Sequence, residues 1–236
     1  MSGILLRNLY AGFEDMGQGI ISENTIFVMA YVDGNEGFGD SIAKGAKVAI
    51  DFLKKVIEAI MDAAMFWMGG RSNVIKQIDR IKQSKLMEVF RPKMDVLIDK
   101  YAKPAVALAS QHVDGAINED YQAFFRKELP SSPAINDFFV SVNKVIDLLA
   151  DRARSTNRSP SEKDLDFSEI MAAAKSAMDA GNKIVAAIEK EDEPNKEVLA
   201  KLNSAVTKIG KGINVLANAS ESIARKLEKV KEEDKE

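Results

Sequence analysis

The stretch from Ser41 to Met68, SIAKGAKVAIDFLKKVIEAIMDAAMFWM, constrains this chain more than any other. Its polar residues, Lys44, Lys47, Asp51, Lys54, Lys55, Glu58 and Asp62, recur at steps of three and four. That spacing puts them on one narrow stripe of a helix. The rest of the surface is apolar or small, including Val48, Ile50, Leu53, Val56, Ile57, Ile60 and Trp67. An ordinary surface helix has the reverse balance. Such a helix belongs at the centre of a bundle or in a membrane interface. Asp40 or Ser41 can cap its start, and Gly69-Gly70 stops it.

The chain has 236 residues and no cysteine. The length suffices for one or two domains with a real core. Without cysteine there is no disulfide framework, thiolate metal site or thiol nucleophile. The start, MSGILLRNLYAGFEDMG, lacks the long apolar run of a signal peptide. Charges interrupt every apolar stretch before it reaches membrane-spanning length, so no transmembrane helix is expected.

Charge is divided unevenly. Residues 1–36 carry one base against five acids, a net of −4. Residues 71–103 carry nine bases against four acids, a net of +5. An acidic head on a locally basic body follows. Residues 1–39 also hold seven of the 14 glycines. Thr25 to Val32 (TIFVMAYV) reads as a short strand, but no partner strand is evident, and an arm packed on the body is preferred.

After the first helix, Ser72 to Phe90 predicts a second, folded back antiparallel across Gly69-Gly70. Its polar face is basic, with Arg71, Lys76, Arg80, Lys82 and Lys85 as candidate contacts to phosphates or an anionic surface. A solvated helix face is the competing explanation for such a run. Pro92 fits a further helix start, and Pro104 a kink or restart. Pro130-Ser131-Ser132-Pro133 breaks the chain before a helix with Ile135, Phe138, Phe139, Val142, Val145, Ile146 and Leu149 on one face.

Arg152 to Ser161 (RARSTNRSPS) is polar, basic and serine-rich, and is expected to be a linker. Beyond it, Ile170, Ala174, Ala177, Gly181, Ile184 and Ile188 form one seam, with small residues that invite close helix approach. Leu199, Leu202, Val206, Ile209, Ile213, Leu216, Ser220, Ile223, Leu227 and Val230 form a second. This is a coiled-coil pattern, and Leu202, Val206, Ile209, Ile213 and Leu216 are the candidate helix–helix interface.

The expected fold is all-α: a helical bundle around a long central helix, with a C-terminal antiparallel hairpin of coiled-coil type. The expected units are 1–39 as an arm or propeptide-like segment, 40–151 as the bundle, 152–162 as the linker and 163–236 as the hairpin.

Catalytic devices are hard to find. His112 is the single histidine, beside an apolar helix face, and no G-x-S-x-G is present. A zinc site would need more ligands of this kind. Asp33 to Lys44 misses the glycine and glutamate positions of a calcium loop. Gly39 to Gly45 lacks the ending of a phosphate loop. No catalytic residue, metal or cofactor is expected, and the chain is expected not to be an enzyme.

Ile21-Ser22-Glu23 and Gly34-Asn35-Glu36 resemble the cleavage motifs of head-maturation proteases in large tailed bacteriophages. The following stretch, GFGDSIAKGAKVAIDFLKKVIEAI, resembles the start of a mature internal head protein of such phages. The resemblance covers about 40 residues, judged on motifs whose short length gives modest specificity. It implies processing after Glu23 or Glu36, and a non-enzymatic structural protein associated with packaged DNA or other head proteins, in the virion or the host cytoplasm. Without that resemblance a cytoplasmic location is expected. Partners are other proteins or a second copy through the hairpin, and non-specific DNA; a membrane surface ranks lower. The competing functions are a membrane-active amphipathic helical protein and a helical adaptor that binds a partner protein through its C-terminal hairpin.

Overall fold

A computed structural model of the chain describes residues 46–69, 73–84, 86–117, 119–158, 160–191 and 194–233. The expected cap at Asp40 or Ser41, the Thr25–Val32 segment and the arm of residues 1–39 lie outside the described residues. Every regular element among the described residues is helical, so the all-α class holds. In chain order these are α1 (Ala46–Gly69), α2 (Asn73–Lys82), α3 (Met87–Leu97), a π turn (Ile98–Ala102), α4 (Lys103–Asp114), α5 (Glu119–Glu128), α6 (Pro133–Arg158), a 3-10 turn (Glu162–Leu165), α7 (Ser168–Ile188) and α8 (Lys196–Glu233).

The helix α1 keeps the expected polarity. Lys47, Asp51, Lys55 and Glu58 are exposed, while Leu53, Val56, Ile57 and Ile60 are buried. It lies against α7 and α8. Lys54 Nζ meets Glu189 Oε2 at 2.5 Å, and Asn182 donates to the Met61 sulfur at 3.1 Å. Residue numbers fall on α7 as they rise on α1, so the two run antiparallel.

The helix on which the bundle turns is α8, not α1. It packs chiefly against α4, then against α1 and α2, with smaller contacts to α7, α3 and α5. At 38 residues it is about 57 Å long. The large residues of its seam are buried as expected: Leu202, Val206 and Ile209 fully, Ile213 and Leu216 almost so. Ala205, Gly210, Gly212, Ala217, Ala219 and Ala224 are buried beside them. These small residues widen a two-helix stripe into a surface with several neighbours. Asn195 caps the helix, its Oδ1 accepting the Glu197 and Val198 amides at 3.0 and 3.2 Å.

The partner of α8 therefore differs from a simple hairpin. α7 packs chiefly on α6, across the 152–162 segment, and on α1; its contact with α8 is the smaller one. α6 itself stays helical through Arg158. The buried residues from Ala49 to Leu227 form one connected core.

Three local departures have physical causes. The second helix ends at Lys82, where Ser84 Oγ donates to the Ile81 carbonyl at 2.9 Å and accepts the Leu86 amide at 3.3 Å. Serine here competes with the helical backbone. Pro92 sits inside α3, on an exposed face, where water can take the carbonyl it leaves unpaired. At Pro104 the α-helix restarts as expected, but the turn before it is widened, with the Lys103 amide bonded to the Ile98 carbonyl. That spares the ring a clash with the carbonyl four residues back.

Candidate functional site

The basic face is built on α2. Val74, Gln77, Ile78 and Ile81 are buried against the C-terminal part of α8, and Gln77 Nε2 donates to Glu228 Oε1 at 2.8 Å. That anchorage turns Lys76 and Arg80, one turn apart, outward. No ion pair holds either of them among the described residues. Lys82 is different: its Nζ meets Glu162 Oε2 at 2.5 Å. That bond, more than any other cause, raises the Lys82 pKa above its ordinary value. Arg71 and Lys85 lie outside the described residues, as do the processing candidates Glu23 and Glu36.

The Lys82–Glu162 pair brings the 3-10 turn up to α3. Between them lies a groove of about 360 Å³, lined by Met87, Phe90, Arg91 and Met94 of α3 and by Ser161, Glu162 and Lys163. The volume falls at the lower end of the range of small-ligand pockets. Its floor is apolar. Its rim carries the exposed cations Arg91 and Lys163, and its one carboxylate is taken by Lys82.

The turn is held from beneath. The Ser161 amide and hydroxyl both donate to Asp164 Oδ2, at 2.6 and 3.2 Å, and the Asp164 amide donates to the Ser161 carbonyl at 2.9 Å. Asp164 is fully buried. Its other oxygen has no hydrogen-bond partner among the described residues and lies 4.0 Å from Arg152 Nη1. Burial lowers the Arg152 pKa, and Asp164, Asp166 and Glu169 oppose that shift.

Sequence reasoning found the α2 cations but missed the groove and the Arg152–Asp164 pair. A signal was present: Ser161-Glu162-Lys163-Asp164 has the S-x-x-D spacing of a capping box, inside what reads as a linker. His112 lies half-buried on α4. No cluster of three or more His, Cys, Asp or Glu among the described residues is placed to hold a metal ion. No described helix is long and apolar enough to cross a membrane. No family model, curated protein or solved structure matches the chain.

Proposed function

We propose that this chain is a non-enzymatic structural and interaction protein whose α2 face contacts a polyanion, as in the internal head proteins of large tailed bacteriophages that it resembles. One observation carries the reading. Lys76 and Arg80 stand side by side on a helix whose opposite face is locked onto α8, with no acidic partner among the described residues. The helix that carries them is already ordered, so binding costs only the rotamer freedom of the two side chains. Duplex DNA is the polyanion the resemblance names, and contacts of this kind read charge rather than sequence.

The membrane reading gains less from the packing. Leu53, Ile57 and Ile60 of α1 are buried, so the bundle would have to open before they met lipid.

The test is binding of the full chain to duplex DNA across a salt series, with Lys76→Glu/Arg80→Glu beside it. Each lost phosphate contact flattens the log–log salt slope by about 0.9. The variant is expected to lose about two such units. Equal binding by both proteins, or none at low salt, would overturn the reading. Mass spectrometry of the source-derived protein tests the processing expectation separately, through a new N-terminus after Glu23 or Glu36.

A further inference from the structure

The seam of α8, where self-association was expected, is taken up inside the bundle: Leu202, Val206 and Ile209 are fully buried. A different apolar row stays open among the described residues.

Val89 and Val96 on α3 and Leu108 on α4 are 38%, 61% and 43% exposed. Each directly precedes a buried residue, Phe90, Leu97 and Ala109 in turn. All three therefore lie on the same flank of the segment's inner side. Pro92, Lys100 and Pro104, all exposed, fall between them at steps of three and four. The result is one row from Val89 to Leu108, about 28 Å long. Lys100 is its single polar member.

The row reads nearly alike in both directions. Val89 answers Leu108, Pro92 answers Pro104, and Val96 answers Lys100, each pair centred within one residue of Ile98. A two-fold axis at that level lays two such helices antiparallel and sets each residue against its counterpart, twice over. Charge selects this direction. Antiparallel, the Lys100 stem covers Val96 of the second copy, and its ammonium comes to Asp95, the exposed neighbour of that valine. Parallel, the two Lys100 side chains meet each other, and like charges repel.

We propose that this row on α3 and α4 is an antiparallel interface between two copies of the chain, with a Lys100–Asp95 pair on each side of the axis. One helix row covers less than the about 800 Å² per partner of a standard complex, so the dimer is weak and forms at high concentration.

Sedimentation equilibrium of the full-length protein, over a micromolar-to-millimolar series, tests this. A monomer–dimer equilibrium is expected. Val96→Glu should raise the dissociation constant by about tenfold or more, because a charge enters both halves of the interface. Asp95→Lys should do likewise, since two like-charge contacts replace two ion pairs. Asp95→Lys/Lys100→Asp exchanges the charges and should return the constant to within about threefold of the parent. Recovery of that kind requires the two residues to face each other across the axis. Both positions are exposed, and circular dichroism checks that the variants fold; if Val96→Glu does not, the charge exchange decides alone. A chain that stays monomeric throughout overturns the proposal. If Val96→Glu then changes its stability, another part of the same chain covers the row. A dimer indifferent to these substitutions, or one that the exchange does not recover, overturns it as well. DNA enters none of these measurements, so the polyanion reading stands or falls separately.

Discussion

Cγ2 of Val113 lies 2.7 Å from the point where a side chain at Gly212 would begin. The Ala109 carbonyl oxygen is 3.4 Å from the same point. α4 and α8 therefore approach so closely at Gly212 that a Cβ there would collide with the Val113 side chain. At Gly181 the nearest atoms, from Phe138 and Ile57, are 3.7 and 3.8 Å away, an ordinary contact. The two glycines should respond oppositely to alanine. Gly212→Ala is expected to destabilise by about 1–3 kcal/mol, because stiff Val113 and the α4 backbone must give way. Gly181→Ala is expected to stabilise by about 0.5–1 kcal/mol, since glycine is costly inside a helix. Urea denaturation of both variants checks the signs.

Leu202 and Ile209 are fully buried on α8. Truncating either to alanine should cost about 2–5 kcal/mol. Val140, 68% exposed on α6, is the contrast, and Val140→Ala should stay within about 0.5 kcal/mol of the parent. Unchanged melting temperatures for Leu202→Ala and Ile209→Ala would show that the seam is not buried.

Arg152→Met leaves the buried Asp164 carboxylate without its counter-charge and should destabilise by about 3 kcal/mol. The double variant Arg152→Met/Asp164→Asn should recover part of that loss, because the orphaned charge is gone. A double-mutant cycle measures the recovery. Simple additivity of the two changes would mean the 4.0 Å pair carries no coupling.

The Lys82–Glu162 tether gives a pH dependence of defined sign. The Lys82 pKa is raised in the fold above its ordinary 10.5. Its contribution is complete below that unfolded value and disappears as pH climbs through the raised folded value. Lys82 is half exposed, so solvent screens the effect and it should be small. Above neutral pH, the stability gap between the parent and Lys82→Met is expected to close only under strongly alkaline conditions. A gap that instead closes toward neutral pH would assign the effect to another group.

Much of the helix pattern was legible because periodicity reports burial directly. The exposed stripe of α1 and the apolar seam of α8 stand in the chain as their spacing predicts. The partners were less legible. Leu202 and Ile209 announce that α8 is buried, but not against which helix. That information sits in Gly210 and Gly212, which the apolar pattern skips. Gly181, which looked like the close-approach residue, leaves ordinary space. The α2 cations were visible as a charge run, whereas the groove joins residues about 70 apart in sequence, from Met87–Met94 to Ser161–Lys163, and no local pattern links them.

The π turn before Pro104 can also be read as an insertion written into a helix. Along α3, Phe90 and Leu97 are buried seven residues apart; the next buried position in that row, Ala105, comes eight residues later. An α-helix turns about 100° per residue, so one surplus residue would swing everything after it away from the core. The widened turn absorbs it, and Ala105, Ala109 and Val113 stay on the inner side. Deleting Lys100 together with Pro104→Ala should therefore leave a plain α-helix with both halves still in phase. The same deletion made at Asp95, inside α3, would set Phe90 and Leu97 on different sides.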